Sequence, residues 1–219
     1  MNMQQIAKLL TQEGVNLIYE PSRIRFVNGP YENYNQMIYD NGEWKYGEWK
    51  YGIFRVERQN SPYFKENKCF ISEEEAAKYV FLKELSDYYL MNKFFRIIKA
   101  HKELGIDDLT FTEQLFLKAM KVMNITFEED IVFFSKEDVK RDCLLIEEAG
   151  KNEYSITYFG RNFGYKQEGI PIYGEMAYSA GIQKVFLLHR LRVIEVDLLK
   201  NGEIKSPFSD EEVSLFLGY

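Results

Sequence analysis

Histidine and cysteine are the side chains most often used for acid–base, nucleophilic or metal chemistry, and this chain has two of each. His101 comes near the end of a predicted helix, where the helix dipole favours a cation. His189 lies between a leucine and an arginine, and Cys69 and Cys143 are 143 − 69 = 74 residues apart. The sequence has no Cys-X-X-Cys, no Cys/His cluster and no Gly-X-Ser-X-Gly nucleophile motif. We therefore expect free, partly buried thiols, structural or solvated histidines, no metal, no cofactor and no enzymatic activity.

A second candidate is the glycine-rich stretch from residue 158 to 165, which has the sequence YFGRNFGY. Its glycines, with Arg161 and Lys166 nearby, are suggestive of a loop that holds phosphate. The spacing fits neither Gly-X-Gly-X-X-Gly nor the phosphate-binding Gly-X-X-X-X-Gly-Lys-Ser/Thr pattern. The sequence therefore does not predict a nucleotide site here.

Neighbouring acids are the third candidate, because two carboxylates can share acid–base work or bind a metal ion. They occur at residues 73–75, 107–108, 128–130, 147–148 and 210–212. Three of these groups fall at predicted helix starts, where negative charge is stabilising for structural reasons. We interpret them as structural rather than catalytic.

The most distinctive motif is a tandem repeat in which GEWKY at residues 42–46 is followed by GEWKY at residues 47–51. Tryptophan and tyrosine are enriched in binding hot spots, so Trp44, Tyr46, Trp49 and Tyr51 are a candidate contact surface. The alternative is a hairpin whose aromatic side chains cover a long helix. A five-residue offset puts the two tryptophans on opposite faces of an unbroken strand, unless Gly47 forms a bulge.

Composition narrows the function classes. The 219 residues carry 28 basic and 34 acidic side chains, a formal charge of 28 − 34 = −6, and 46% of the residues are apolar. These values are ordinary for a globular protein and unlike those of a disordered chain. Residues 1–110 have a net charge of 15 − 16 = −1, and residues 111–219 of 13 − 18 = −5. The acidic balance argues against general nucleic-acid binding and favours a basic partner.

The first residues and the apolar stretches of the chain bear on its cellular location. The first residues, MNMQQIAKLLTQEG, lack the basic start and apolar stretch of a signal peptide. No window reaches the roughly 18 apolar residues of a membrane span. The sequence thus predicts a cytoplasmic protein without a membrane partner.

Hydrophobic periodicity predicts the elements that must position these residues. In the first half we expect a helix at 3–12, strands at 15–20, 23–27 and 36–39, a hairpin turn at 40–42, a loop at 61–68 and a long helix at 73–103. Ser72 and Glu75 have capping-box spacing, Asn92 is a candidate position for a kink, and Gly105 ends the pattern.

The second half alternates between short helices and strands. We expect a helix at 114–123 with a capping box formed by Thr110 and Glu113, strands at 143–148 and 153–159, an irregular loop at 160–174 and a last helix after Ser209. Residues 179–200 fit either one helix or a helix followed by a strand. The predicted fold is α+β, with antiparallel β-meanders packed on helices. Its lobes are residues 1–104 and 105–219, or the two form one compact domain.

One resemblance covers residues 38–85. This segment has, in order, the DNGEW turn of residues 40–44, a strand ending FRVER at residue 58, a polar loop, and FISEEEAAKY at residues 70–79. It resembles cytoplasmic immunity proteins of bacterial polymorphic and contact-dependent toxin systems, many of which carry a short sheet followed by a helix that begins F-X-S-E-E-E-A. The tail EIKSPFSDEE at residues 203–212 is similar in character, and the two segments together cover about a quarter of the chain.

The resemblance implies an antitoxin that acts in bacterial competition by binding, without catalysis of its own. Such a protein blocks the active or docking surface of a cognate toxin domain, in many cases a basic nuclease. The contacts we expect are the GEWKY aromatics and, as an acidic rim, Glu128, Glu129, Asp130, Glu147 and Glu148. Two other interpretations stay open. One is a ligand-binding or enzymatic domain with a pocket between Gly160 and Gly174, and the other is a mobile-element adaptor that binds a host protein.

Overall fold

A computed structural model of the chain describes residues 1–27, 33–49, 64–106, 111–126, 130–174 and 176–219. Helices and predominantly antiparallel sheets are both present, which confirms the α+β fold class. The chain divides into two compact units, Met1–Leu85 and Ser86–Tyr219. This division falls earlier in the chain than Gly105, where the sequence placed the boundary between two lobes.

The first unit combines two helices with a five-stranded antiparallel meander in the order β1-β2-β3-β4-β5. Its elements are α1 (Met3–Glu13), β1 (Leu17–Glu20), β2 (Arg23–Phe26), β3 (Tyr34–Asp40), β4 (Glu43–Trp49), β5 (Phe64–Phe70) and the start of α2 (Glu73–Tyr89). Helix α1 begins with a capping box, because Asn2 accepts a hydrogen bond from the Gln5 backbone and the Gln5 side chain accepts one from the Asn2 backbone. It ends at Gly14, whose φ of 100° is the left-handed conformation that favours glycine.

The hairpin between β3 and β4 turns through Asn41 and Gly42, with φ values of 51° and 88°. Asp40 pairs with Glu43, so the connection has two residues, and positive φ at both is typical of a type I′ turn. This confirms the predicted hairpin.

Strand β5 corrects the prediction of a loop at 61–68, since residues 64–68 form most of this strand. Its central residues are exposed, and a strand at the end of a sheet tolerates the polar side chains that the sequence suggested were a loop. An irregularity lies beside Gly47 in the pairing of β4 with β5, but Gly47 is not the extra residue that the sequence suggested. Tyr46 pairs with Lys68 and Gly47 with Glu66, so the extra residue is Asn67 on β5, and the pairing of β4 with β3 has no shift. The strand-like pattern after residue 51 lies outside the described residues.

The predicted helix 73–103 is divided into four parts. Helix α2 is followed by a π-helical turn (Leu90–Phe94), α3 (Phe95–Ala100) and a 3₁₀ turn (Lys102–Leu104). Asn92, the candidate kink position, lies within the π-helical turn. Gly105, with a φ of 59°, follows the last turn, as expected. At the start of α2, Ser72 Oγ accepts a hydrogen bond from the Glu75 backbone at 3.5 Å.

The second unit places helices against a second sheet. Its further elements are α4 (Glu113–Val122), β6 (Val132–Phe133), β7 (Cys143–Gly150), β8 (Glu153–Phe159), β9 (Lys166–Glu168), β10 (Ile172–Tyr173), α5 (Met176–Lys200) and α6 (Asp210–Phe216). The sheet order is β10-β8-β7-β6, and β9 also pairs with β8. The predicted irregular loop at 160–174 thus contains two short strands that both follow one side of β8.

Helix α5 resolves the alternatives for residues 179–200, which form one continuous helix. Buried positions such as Leu187, Leu191, Ile194 and Leu198 recur at helical spacing, and this burial outweighs the strand preference of the neighbouring valines. Gly181 allows α5 to approach β7, because a Cβ there would overlap the Ile146 side chain. The last helix starts as predicted, with a reciprocal capping box between Ser209 and Glu212.

Helix α4 starts within one residue of the predicted start, but its capping residue differs from the prediction. The side chain that caps it is Thr112, which accepts a hydrogen bond from the Leu115 backbone, whereas the sequence assigned the capping role to Thr110. Thr112 has an extended backbone but lacks Glu or Gln three residues later, so the capping-box spacing alone did not identify it. Thr110 itself lies outside the described residues.

Candidate functional site

Trp44 and Tyr46 of the GEWKY hairpin form part of the core of the first unit. Trp44 is 7% exposed and Tyr46 is 3% exposed. The Tyr46 hydroxyl donates a 2.6 Å hydrogen bond to Glu84, and its ring lies edge-on to Tyr79. A partner approaching this hairpin would meet little of either ring. The Trp49 side chain and Tyr51 lie outside what the structure describes.

We expect Tyr46→Phe to lower the free energy of unfolding of the first unit by about 1–3 kcal/mol. The change keeps the ring but removes the hydroxyl that donates to the buried Glu84 carboxylate. Because both tryptophans of the chain lie in this unit, urea unfolding followed by tryptophan fluorescence measures it. Tyr39→Phe is the control, since the Tyr39 ring is about half exposed. Equal effects of the two changes would contradict a structural role for the Tyr46 hydroxyl.

The predicted acidic rim is partly neutralised within the chain. Asp130 forms an ion pair with Lys140, with 2.7 Å between Oδ2 and Nζ. Glu147 forms one with Lys136, with 2.9 Å between Oε2 and Nζ. Glu148 is exposed, whereas Glu128 and Glu129 lie outside the described residues. Of the described acids in this group, Glu148 is therefore the one whose carboxylate is best placed to meet a partner's cation.

The glycine-rich loop holds a carboxylate of the chain itself. The backbone N–H groups of Arg161 and Asn162 donate to the two oxygens of Asp210, at 2.7 and 3.1 Å, and Asn162 Nδ2 donates to it at 2.7 Å. Gly160 is required here, because a Cβ would lie 2.5 Å from Asp210 Cγ. Successive backbone N–H groups of this kind bind anions, and in this loop Asp210 occupies the position that a phosphate would need.

A largely buried ionic network surrounds that contact. Arg161 Nη1 lies 2.7 Å from Glu195 Oε1, and its Nε lies 3.2 Å from Asp142 Oδ2, which Arg192 Nε also approaches to 3.2 Å. Burial alone would lower the pKa of Arg161, but its bond to Glu195 and the charge of Asp142 outweigh burial and raise that pKa. Burial, reinforced by Asp142, raises the pKa of Tyr158. These charges neutralise one another, so the network fixes the loop in place rather than offering a reactive group.

Four exposed apolar side chains of the second unit lie close together in sequence, in the segment whose two short strands pair with β8. We call them the apolar edge, and with their exposed fractions they are Phe163 (93%), Ile170 (87%), Tyr173 (67%) and Met176 (56%). They come from the β8–β9 turn, the β9–β10 connection, β10 and the first residue of α5. Sequence reasoning missed them as contacts. The signal was large apolar residues inside a glycine-rich stretch that we had interpreted as a loop.

A surface hollow of about 350 Å³ lies elsewhere in the second unit, around α3 and the 3₁₀ turn that follows it. Ile98 and Ile106 contribute apolar surface, and Lys99 and Lys102 lie beside them. His101 is bound to Glu103 at 3.0 Å. This hollow is separate in sequence from residues 160–174, where the ligand-binding interpretation placed its pocket.

Both cysteines are free thiols, Cys69 exposed and Cys143 buried, and burial raises the pKa of Cys143 to about 11. In the described ranges no three His, Cys, Asp or Glu side chains are grouped to hold a metal ion. None of the described helices has the length and apolar character needed to cross a membrane.

No protein-family model, curated protein or solved structure matches the chain. What the protein does is therefore to be inferred from its own residues.

Proposed function

We propose that this chain is a binding protein, and that it acts as an immunity protein by holding a toxin domain and covering its active or docking surface. The resemblance of residues 38–85 and 203–212 to such proteins supports the class of partner. The single observation that supports binding is the apolar edge of the second unit.

Exposed apolar side chains of this size are individually common, whereas large exposed apolar areas mark interaction sites. Here four of them occur within fourteen residues, from 163 to 176, in the segment that contains the two short strands paired with β8. Apolar area of this kind, closed off from water by a partner, is the main source of affinity in protein interfaces. The edge therefore offers contact area that the buried Trp44 and Tyr46 do not.

Charge supports a basic partner. Residues 111–219 have a formal charge of −5, and the apolar edge has acidic neighbours in Glu153, which pairs with Tyr173 in the sheet, and Glu168 on β9. Such a field accelerates the encounter with a positively charged domain such as a nuclease. Glu168 is already paired with Lys166, so we expect the charge to influence the association rate more than the final affinity.

The test begins with the tagged full chain as bait in the bacterium that makes it. After a high-salt wash, mass spectrometry should identify one stoichiometric partner, the C-terminal domain of a secreted protein. The purified domain should be toxic or enzymatically active alone and inactive with one equivalent of the chain. A culture that demonstrably makes such a domain, yet yields none on the bait, would refute the proposal.

Within that complex, we expect Ile170→Ala combined with Tyr173→Ala to weaken binding about tenfold or more, because both side chains lose apolar contact with the partner. Calorimetric titration of the purified domain measures the effect. Met91→Ala is the control, since Met91 is 65% exposed but lies outside the apolar edge. If the control weakens binding as much as the double variant, the interface lies elsewhere.

A further inference from the structure

The turn that carries Phe163 is tightly hydrogen-bonded. The Tyr165 backbone N–H donates to the Asn162 carbonyl at 3.2 Å, and the Gly160 N–H donates to the Tyr165 carbonyl at 3.0 Å. Gly164 has a φ of 89°, the conformation that the third position of a type II turn requires. Phe163 is therefore the second residue of a closed turn rather than part of a loose loop.

The base of this turn is fixed to the interior of the second unit. Asn162, the residue before Phe163, gives two hydrogen bonds to Asp210, one from its backbone and one from its side chain. Arg161, one residue earlier, is held by Asp210 through its backbone and by Glu195 through its guanidinium group. The direction in which Phe163 leaves the surface is consequently set before any partner arrives.

Phe163 has one described neighbour of note. The Arg141 guanidinium carbon lies 5.9 Å from the centre of the Phe163 ring, at the distance of a cation–π contact. Arg141 is exposed, and it forms no ion pair with a carboxylate in the parts of the chain that the structure describes. An exposed aromatic ring and a cation with no carboxylate partner among the described residues thus lie side by side.

We propose that Phe163 and Arg141 together form the anchor of the interface: Phe163 enters an apolar pocket on the partner protein, and Arg141 meets a carboxylate at the rim of that pocket. A rigid turn loses little conformational entropy when it binds, so a single protruding ring gains affinity efficiently. Aromatic and arginine side chains are also the types enriched at such anchors. The anchor rests on the proposed function, because that function supplies the protein partner whose pocket Phe163 would enter.

The cation makes the expected pocket specific. Residues 111–219 of this chain are acidic as a whole, so a basic partner is attracted over long range. Arg141 requires the opposite charge at one point, a carboxylate within reach of its guanidinium group. A toxin surface that combines a positive field with one acidic group beside an apolar pocket fits both requirements.

The experiment replaces Phe163 in the full chain with the photoreactive residue p-benzoylphenylalanine, in the bacterium that makes the protein. Ile71, which is 85% exposed in the first unit, is replaced in the same way as the control. Light should join the chain to its partner from position 163 and not from position 71. Arg141→Glu should abolish the product, because it puts like charges together at the pocket rim.

Affinity measured with the purified partner completes the test. We expect Phe163→Ala to raise Kd at least about tenfold, Arg141→Ala severalfold and Ile71→Ala hardly at all. The thermal unfolding midpoint should be unchanged by Phe163→Ala, since this ring is 93% exposed, and that separates lost contact from lost folding.

The outcomes separate the anchor from the proposed function. A toxin domain that is neutralised by the chain but shows no crosslink from position 163 and an unchanged Kd with Phe163→Ala overturns the anchor alone. A crosslinked partner without toxic activity, whose Kd responds to Phe163→Ala and Arg141→Glu, supports the anchor and refutes the immunity function. If no partner is captured and position 163 gives no crosslink, both the anchor and the immunity function are refuted.

Discussion

Asp210→Ala is expected to lower the free energy of unfolding of the second unit by about 3–5 kcal/mol. The carboxylate is almost fully buried and accepts from the backbone of Arg161 and from both the backbone and side chain of Asn162. Its removal leaves these donors without their acceptor. It also removes a negative charge close to Arg161. The loop between β8 and β9 should lose its fixed conformation at the same time.

The matched control for this change is Glu211→Ala, one residue further along α6. Both acids lie in the first turn of the helix, so both variants lose the same favourable charge at its start. Glu211 is exposed, and we expect its removal to cost less than about 1 kcal/mol. Hydrogen exchange of the β8 and α6 amides measures each effect locally, and equal protection in the two variants would contradict a special role for Asp210.

Gly47→Ala should destabilise the first unit by about 2–4 kcal/mol. A Cβ at this position would overlap the backbone carbonyl of Lys65 on β5, and a backbone group cannot rotate away as a flexible side chain can. Relief requires β4 and β5 to separate where the register already shifts. We therefore expect the hydrogen bonds between these strands to weaken first.

Tryptophan fluorescence during urea unfolding measures this effect, because Trp44 and Trp49 both lie on β4. Lys45→Ala is the control on the same strand, where it removes only partly exposed ion pairs to Asp40 and Glu66. We expect that control to cost less than about 1 kcal/mol. If Gly47→Ala unfolds at the same urea concentration as the control, β4 and β5 are not as close as described.

Local signals in the sequence predicted the elements whose causes are also local. The capping box of Ser209 and Glu212 spans four residues and required no knowledge of the rest of the chain. The Asn41-Gly42 turn is specified in the same way by two residues that accept positive φ. Strand β5 was missed because its exposed polar residues are typical of a loop. They are recognised as a strand only through their pairing with β4, which is distant in the sequence.

The Asp210 contact shows why the candidate site was harder to predict. Asp210 was recognised as part of an acidic helix start, but its partners Arg161 and Asn162 are 49 and 48 residues away. Gly160 was noticed for its type, and the atom that requires it to be glycine belongs to that distant helix. No spacing rule connects such residues. The exposure of Phe163 follows from the same contact and was equally hidden.

Strand β5 has a consequence for how the protein behaves at high concentration. Among the described strands it ends the first sheet, and an unpaired strand edge is a template on which other chains can aggregate. Lys65, Glu66 and Lys68 put both signs of charge on this edge, and the extra residue Asn67 interrupts its regular pairing pattern. A strand of another chain could pair here only by removing those charges from water and by matching the irregular hydrogen-bond spacing around Asn67. This edge of the first unit is thus protected against amyloid-like stacking.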